Sequence, residues 1–518
     1  MLLKKKQKMH NEEKMSRKVI VEKREVEAGI IESNARKLAA GFDALGVQEG
    51  DVIAVMLRNC QAYLEVIHAN RQVGSYYCPI NWHFKAEEVK HILLDSGTKI
   101  LIMQEEFWDS LSTVIPADMT VILVGDKADT SQTQTRHLKN YASWRDGFKE
   151  RTAYSRTPRG HMAYTSGTTG KPKGVVRIPF NPEERLEKQD EMRLMVQQTL
   201  GLLPDSRVLL PAPLYHSAPS LFAQFALQES ELFVLTERFD PVELLSLIEK
   251  YKIEIVYMVP IMYVRLLKLD EKIRRKYDVS SLRFIASTGA PCAPDVKKAI
   301  IDWFGPIVYE TYASSEVGLI TLVDSEQALK KPGTAGLPVG RAIIRIYDEN
   351  GAECEPGQIG YIYVRQYAYT DFEYRNNPAA RQKVDRDGLI NLGDMGYLDE
   401  DGYLFVCDRQ SDMVISGGVN IYPAEIEAQI LQYQGVADCA VFGVPDDEFG
   451  ESLLACIQPH ENADIKVENL REWLSEKVAR YKVPKQLLIK HDLPRDDNGK
   501  IYKRFLREKY WEGRSRKV

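Results

Sequence analysis

The chain has 518 residues, with 69 lysines and arginines against 74 aspartates and glutamates, and a formal net charge of −5. This length exceeds what one hydrophobic core usually serves, so we expect at least two domains. The composition, 44% hydrophobic and 28% charged, excludes an intrinsically disordered chain, and the near-neutral charge lacks the basic excess of a nucleic-acid binder.

The amino terminus and the cysteines bear on the cellular compartment. Residues 1–24 are rich in lysine but contain no apolar stretch with a small-residue cleavage site, so we expect no secretory signal. No run of 18 apolar residues occurs, which argues against a transmembrane segment. The seven cysteines form no CxxC pair, which argues against a disulfide framework and a thiolate zinc site. We therefore expect a cytoplasmic protein with no nucleic-acid partner.

Helical and strand patterns alternate over the first part of the chain. Apolar spacing near 3.6 residues predicts helices over 27–45, 61–69 and 242–251. Short apolar runs predict buried strands over 51–57, 99–103, 120–124 and 253–260. This alternation predicts an α/β fold whose sheets are doubly wound and largely parallel.

The pattern changes after about residue 340. Residues 341–353 and 360–366 are typical of a β-rich subdomain, with a hairpin turn at Asn350-Gly351. From Arg409 onward, a helix beginning at Pro423, an apolar run over 439–445 and a helix around 467–481 indicate a small α+β domain. We therefore predict a large N-terminal domain over 1–410 and a C-terminal domain over 411–518.

The strongest local signal is YTSGTTGKPKGV, residues 164–175. Its glycines let backbone N–H groups approach an anion, and its hydroxyls and two lysines add donors and positive charge. It is not a Walker loop, because only two residues separate Gly167 from Gly170, and Pro172 follows Lys171. A surface loop is the alternative, but two lysines without an acidic residue favour a polyphosphate site.

This segment is similar to the phosphate-loop motif of the adenylate-forming superfamily, which includes acyl-CoA synthetases, luciferases and peptide-synthetase adenylation domains. Six further motifs of that superfamily follow in order: PLYHS (213–217), STGAP (287–291), YASSE (312–316), LGD (392–394), DRQSDMVISGGVNIYPAEIE (408–427) and PRDDNGKI (494–501). The chain therefore resembles that superfamily, and its acyl-CoA synthetase branch in particular, over nearly its whole length. In such enzymes ATP and a carboxylic acid form an acyl adenylate, and a thiol then displaces AMP.

The resemblance implies a nucleotide site for ATP and Mg²⁺. Tyr312 resembles the ring that stacks on adenine, Ser315 the hydroxyl on the α-phosphate, and Asp394 the ribose acceptor, with Arg409 nearby. Glu316 and Thr165 stand where the metal is bound. The remaining implied nucleotide-binding residues are Ser166, Gly167, Thr168, Thr169, Gly170, Lys171, Lys173, Gly289, Ala290, Pro291, Ala313 and Ser314.

The resemblance also implies the groups of the two chemical steps. Lys500 resembles the lysine that bridges carboxylate and phosphate during adenylation, and acetylation would delete its charge. His216 resembles the gate between the acyl pocket and the thiol tunnel. Gly417 and Gly418 resemble the loop that lines the channel for coenzyme A after the small, mobile C-terminal domain rotates.

The sequence departs from the superfamily at three places. The hinge position holds Ser411, with Asp412 next, where the superfamily commonly has aspartate or lysine. Ala313 replaces a common glycine at the base of the acyl pocket and should narrow it. The first forty or so residues show no sign of the usual opening strand and hairpin.

The substrate and the second step stay open at this point. The expected acyl-pocket residues offer no fixed cation, which favours an apolar acid: a fatty acid, a bile acid or steroid side chain, or an aromatic acid. These residues are Tyr257, Met258, Val259, Ala286 and Ala313. A luciferase-like oxygenase, carrier-protein acylation and a non-catalytic nucleotide-binding protein are the alternatives. The sequence gives no clear interface signal, and a homodimer is left open.

Overall fold

The computed structural model describes residues 17–125, 137–152, 156–165, 172–181, 183–417, 419–461, 463–495 and 501–512. It has a large N-terminal domain with two parallel sheets and a β-rich part, followed by a small α+β domain. The predicted fold class is confirmed. Within the described ranges, no helix combines the length and the apolar character that crossing a membrane requires.

The larger parallel sheet lies in the N-terminal domain. Its described strands, in spatial order, are Val308–Glu310, Phe284–Ser287, Ile255–Met258, Arg207–Leu210, Leu232–Leu235, Lys18–Val21 and Arg24–Glu27. All neighbours pair in parallel except the last two, which form an antiparallel hairpin. Strands such as Ile255–Met258 are buried at every position, as expected where helices cover both faces of a parallel sheet.

The second sheet is parallel throughout its described part. Its strands, in spatial order, are Tyr76–Pro79, Val52–Met56, Thr98–Gln104, Thr120–Val124 and Leu138–Asn140. Alternate side chains of a strand enter different cores. Ile53 and Val55 pack into the core shared with the larger sheet, whereas Val52, Ala54 and Met56 pack into a second core on the other face.

Helices connect these strands and cover the sheets. Gln61–Val73 and Ser217–Glu229 contact each other and contribute to the shared core. Prolines begin several helices, because the first helical position needs no backbone N–H. The other N-terminal helices are Ala28–Ala44, Ala86–Ser96, Trp108–Leu111, Tyr141–Asp146, Arg185–Leu200, Pro241–Tyr251, Pro260–Leu267, Glu271–Arg274, Pro294–Phe304, Ser325–Lys330 and Pro378–Val384, with a 3₁₀ turn at Glu105–Phe107.

The β-rich part confirms the change of pattern after residue 340. One antiparallel sheet contains Ala342–Tyr347, Gly360–Gln366, Leu389–Leu398, Asp385–Arg386 and Leu404–Arg409. A three-stranded sheet contains Phe372–Tyr374, Lys173–Arg177 and Ala163–Thr165, and two strand pairs join Ala313–Ser314 to Gly318–Leu319 and Thr321–Leu322 to Leu337–Pro338. The predicted turn forms, since Gly351 has φ +82° and its N–H donates to Asp348.

The small domain has its own sheet and core. Its described strands are Val419–Ile421, Val414–Ser416, Gly450–Pro459, Val436–Asp446 and Gln486–Ile489. Its helices are Pro423–Ile430, Val467–Lys477 and Lys503–Arg507, with 3₁₀ turns at Arg480–Lys482 and Glu508–Tyr510. The N-terminal sheets end at Arg409 and this sheet begins at Val414, so the predicted boundary at 410 falls between them.

The expectation that the chain lacks an opening strand and hairpin is wrong. The strand Lys18–Val21 pairs in parallel with Leu232–Leu235. The strand Arg24–Glu27 pairs antiparallel with Lys18–Val21, which makes the hairpin. The turn between them places Glu22 and Lys23 at φ values of +50° and +61°. Such turns usually carry asparagine or glycine, so the Glu-Lys pair gave no turn signal.

Candidate active site

The candidate site is built where parallel strands of the larger sheet end. Phe284–Ser287 and Val308–Glu310 are neighbours, so the segments that follow them emerge at the same edge. The Thr311 N–H donates to the Ser287 carbonyl oxygen at 2.9 Å, and the Thr288 hydroxyl donates to the Thr311 carbonyl oxygen at 2.9 Å. Gly289 follows with φ +94° and is exposed, so this turn has the backbone freedom of glycine and is open to a ligand.

Tyr312, Asp394 and Arg409 are distant in the sequence but meet in the structure. The Tyr312 hydroxyl hydrogen-bonds the Asp394 carboxylate, and Arg409 Nε lies 2.7 Å from Asp394 Oδ1. Asp394 and Arg409 face each other across two antiparallel strands. The Asp394 side chain is 5% exposed and that of Arg409 is 53% exposed. Burial, reinforced by the Asp394 charge, raises the pKa of Tyr312, so this phenol stays protonated and donates.

Glu316 and Ser315 are held by side chains from other segments. The Thr165 hydroxyl donates to Glu316 Oε1 at 3.3 Å, and the Tyr374 hydroxyl donates to the same oxygen at 3.2 Å. Ser315 Oγ lies 3.0 Å from Ser217 Oγ. The structure therefore brings the phosphate-loop strand, the YASSE motif and the helix after PLYHS to one place. Sequence reasoning missed Tyr374, because it belongs to no motif.

Arg177 holds the backbone at Ser315, and sequence reasoning missed this residue too. Its Nη2 donates to the Ser315 carbonyl oxygen at 2.8 Å, and its Nη1 donates to the Thr370 carbonyl oxygen at 3.1 Å. The guanidinium lies 4.6 Å from the centre of the Tyr369 ring. Burial lowers the pKa of Arg177 from its ordinary value. Arg177 closely follows the phosphate-loop motif, and nothing in its sequence neighbourhood marks it as functional.

His216 lies at the N-cap of the helix Ser217–Glu229. The segment before it is fixed by the buried Asn59, whose Nδ2 donates to the Ala212 carbonyl oxygen at 2.8 Å. The Leu214 N–H donates to Asn59 Oδ1 at 2.9 Å. One asparagine therefore satisfies two backbone groups of the loop that delivers His216.

The oxygens of Glu316 and Thr165 suit a hard divalent cation. They lie 3.3 Å apart and include one carboxylate, and Mg²⁺ commonly uses one or two carboxylates together with substrate phosphates. Over the described ranges, no cluster of three or more histidine, cysteine, aspartate or glutamate residues is able to hold a metal without a substrate. All seven cysteines of the chain are free thiols.

Other predicted site residues lie on the same segments. Ala290 is partly exposed and Pro291 is exposed, directly after Gly289. Ser314 Oγ accepts the Val317 N–H at 3.1 Å. Ala313 begins the short strand Ala313–Ser314.

Two further predicted residues, Lys173 and Gly417, make contacts in different parts of the chain. Lys173 Nζ lies 5.2 Å from the centre of the Tyr374 ring. In the small domain, the Gly417 N–H donates to the Phe449 carbonyl oxygen at 2.9 Å, with φ +58°. The predicted site residues outside the described ranges are Ser166, Gly167, Thr168, Thr169, Gly170, Lys171, Gly418 and Lys500.

Comparison with known families and curated proteins gives two kinds of match. A model of the AMP-binding enzyme family matches residues 11–371, and one of the AMP-binding enzyme C-terminal domain matches residues 425–500. A feruloyl-CoA synthase from Amycolatopsis sp is 32% identical over 476 residues, covering 92% of this chain and 92% of the relative. The long-chain-fatty-acid–CoA ligase FadD13 of Mycobacterium tuberculosis is 30% identical over 487 residues, covering 92% and 91%.

Comparison with solved structures gives the same fold. The crystal structure of ATP-bound MatB from Rhodopseudomonas palustris matches with a TM-score of 0.83 and 26% identity, covering 95% of this chain and 96% of that one.

Proposed function

We propose that this chain, which belongs to the AMP-binding enzyme family and is an AMP-forming acyl-CoA synthetase, activates a largely apolar carboxylic acid with ATP and transfers it to coenzyme A. The observation that carries the proposal is the convergence of one polar group of residues at the strand ends. This group comprises Thr165, Ser315, Glu316, Tyr312, Asp394 and Arg409.

The first step needs charge neutralisation and alignment more than a dedicated nucleophile. A carboxylate is itself nucleophilic, so the protein must hold it in line with the α-phosphate and offset the charge that develops there. We assign the Ser315 hydroxyl to the α-phosphate and Glu316, with Thr165, to Mg²⁺. When bound, Mg²⁺ neutralises charge on the phosphates. Lys500 adds a cation from the small domain.

The nucleoside end is held by different groups. Asp394 accepts hydrogen bonds from the ribose hydroxyls, and Arg409 keeps that carboxylate in place at 2.7 Å. The open turn at Gly289 lies along the adenine, with Tyr312 as the stacking ring. The Tyr312 hydroxyl also hydrogen-bonds Asp394, so the residue proposed to stack on adenine contacts the residue proposed to bind the ribose.

The second step places the thiol of coenzyme A opposite the adenylate. His216 stands at the entrance, and Gly417 with Gly418 lines the channel after the small domain has rotated. Thioester formation releases AMP.

The buried strand Ile255–Met258 and the relatives' names support the proposed substrate class. Tyr257, Met258, Val259 and Ala286 are all at most 1% exposed and carry no charge. The relatives' names specify a feruloyl group and long-chain fatty acids. Both have an apolar body, so we place this chain's substrate among fatty, bile or steroid side-chain, and aromatic acids.

A substrate panel tests the proposal. Purified protein, ATP and Mg²⁺ are incubated with each acid, with and without coenzyme A, and pyrophosphate release and thioester mass are measured. We expect acid-dependent pyrophosphate and a thioester with at least one apolar acid. Asp394→Asn should raise the KM for ATP about 10- to 100-fold, because a charged hydrogen-bond acceptor is lost. The control Asp302→Asn, at an exposed ion pair, should not change it.

Two results would contradict the proposal. Absence of acid-dependent pyrophosphate across the panel would remove the enzymatic function. Oxygen-dependent product without any thioester would instead assign a luciferase-like second step.

A further inference from the structure

A buried polar cluster lies along the helix Ser217–Glu229, beyond the nucleotide residues. The Tyr77 hydroxyl hydrogen-bonds Ser220 Oγ and accepts from Gln224 Nε2 at 3.4 Å. Gln224 Oε1 in turn accepts from Arg71 Nη1 at 3.0 Å. Tyr77, Ser220 and Gln224 are 1%, 0% and 8% exposed. The guanidinium is therefore held in place by groups that themselves cannot move freely.

Arg71 has no anionic partner in the described part of the chain. Its charged neighbour is a second cation, Arg185, and burial together with that charge lowers the pKa of Arg71. Arg71 itself is partly buried, and even partial burial of a cation without an anion is costly. A comparable arginine elsewhere in the fold, Arg145, is paired with the buried Glu65 at 3.0 Å. The setting of Arg71 therefore suits an anionic or hydrogen-bond-accepting group supplied from outside the protein.

The cluster shares a helix face with the reaction centre. Ser217, Ser220 and Gln224 are spaced three and four residues apart, so they lie on one side of the helix. Ser217 Oγ lies 3.0 Å from Ser315 Oγ, which marks the end of this face nearest the α-phosphate. Seven residues of helix span about 10 Å. A substrate extending along the helix from Ser315 would bring its far end to Gln224 and Arg71.

We propose that Arg71, oriented by Gln224, binds an oxygen at the far end of the acyl group. The substrate is then a carboxylic acid with an apolar body and a distal carboxylate or hydroxyl oxygen. Arginine forms strong charge-assisted hydrogen bonds with such oxygens. The proposal rests on the proposed function and refines it, because the apolar residues receive the body and Arg71 receives the terminus.

Matched acids test it on the full chain. Linear monocarboxylic acids of increasing length are compared with the α,ω-dicarboxylic and ω-hydroxy acids of equal length, and an aromatic acid with its ring-hydroxylated form. We expect kcat/KM of the wild type to favour the distal-oxygen member of at least one pair. In Arg71→Met that preference should fall about 10- to 100-fold, with the KM for coenzyme A unchanged. The control Arg275→Gln, at a 79% exposed arginine, should retain it.

The outcomes separate this inference from the proposed function. Turnover of several acids without any preference for a distal oxygen would overturn the inference and leave the ligase function standing. A raised KM for coenzyme A in Arg71→Met, with acid preference intact, would overturn it by assigning Arg71 to the other substrate. If Arg71→Met does not fold by circular dichroism, Gln224→Met replaces it, with the same two readouts and the same expected loss of preference.

Discussion

Lys500 carries a prediction about a single charge. The first half-reaction develops negative charge between the carboxylate and the α-phosphate, where a cation stabilises the transition state, whereas thiol attack on a finished adenylate does not. We expect Lys500→Ala to lower adenylate formation by about 100-fold or more and to leave thioester formation from supplied acyl adenylate near the wild-type rate. Pyrophosphate release and thioester mass report the two steps separately. Equal losses in both steps would contradict the assignment.

His161 carries a prediction about pH. Burial, with Arg177 nearby, lowers the pKa of His161 from 6.5 to about 4, so the folded state keeps this imidazole neutral. Between pH 6.5 and 4 this imidazole binds a proton in the unfolded chain but not in the folded chain. The free energy of unfolding therefore falls as the pH falls. This group contributes a slope of up to about 1.4 kcal/mol per pH unit over that range.

We expect His161→Gln to flatten that part of the pH dependence, measured by urea unfolding at pH 7, 6, 5 and 4.5. His137 is exposed, so His137→Gln is the matched control and should leave the slope unchanged. A slope identical in His161→Gln and the wild type would show that this imidazole titrates normally in the folded state.

At the scale of elements, the helix Pro423–Ile430 is held by one residue that precedes it in the sequence and by another that follows it. The Ala424 N–H at its start donates to Asp408 Oδ2 at 2.9 Å. Glu427, one turn later, pairs with Lys503 of the last helix at 2.8 Å, and both side chains are less than one fifth exposed. Burial raises the pKa of Glu427, partly offset by Lys503. The last helix is therefore held by an ion pair at a position where the carboxylate is only partly hydrated.

Removing Lys503 should destabilise the small domain. Lys503→Met leaves Glu427 buried without its cation, and breaking such a pair costs about 3 kcal/mol or more. We expect a lower urea midpoint for the small domain than in the wild type. Lys298→Met breaks a pair whose side chains are both 60% exposed and should cost less than about 1 kcal/mol. Equal effects of the two variants would contradict a buried role for Lys503.

Elements also show how far sequence reasoning reaches. The strand Val52–Met56 was predictable from a short apolar run and the helix Ala28–Ala44 from its apolar spacing, because both signals are local. The opening hairpin was not, because its strand is stabilised by distant Leu232–Leu235 and its turn uses Glu22 and Lys23 at positive φ.

The candidate site likewise contains some residues that local sequence motifs identify and others that only the structure reveals. Motifs identified Asp394 and Glu316, whereas Tyr374 and Arg177 act through contacts across 58 and 138 residues of sequence. No local pattern encodes such distances. The partly buried Arg71 was missed for the same reason, because the expectation of an acyl pocket without a fixed cation considered only Tyr257, Met258, Val259, Ala286 and Ala313.

At the scale of the whole molecule, a short connection joins the N-terminal domain to the small C-terminal domain. Ser411 and Asp412 lie between the strand ending at Arg409 and the strand beginning at Val414. Arg507 Nη1, on the last helix, donates to the Ser411 carbonyl oxygen at 3.0 Å and lies 3.3 Å from Asp412 Oδ1. The rotation of the small domain about this connection stays a prediction, and it requires backbone dihedral changes at these residues.

Ser411→Pro tests that rotation, because proline fixes φ near −65° at the position where the change is expected. The proposed rotation brings Lys500 to the site for the first step and the channel glycines for the second. If the rotation is blocked, one half-reaction should stay near the wild-type rate while overall turnover falls at least about tenfold. Ser411→Ala keeps the backbone freedom and serves as the control, and equal thermal midpoints establish that both variants are folded. Half-reaction rates from pyrophosphate release and from supplied adenylate locate the blocked step. Wild-type turnover in Ser411→Pro would place the hinge elsewhere. Asp412→Pro is then the next variant to test.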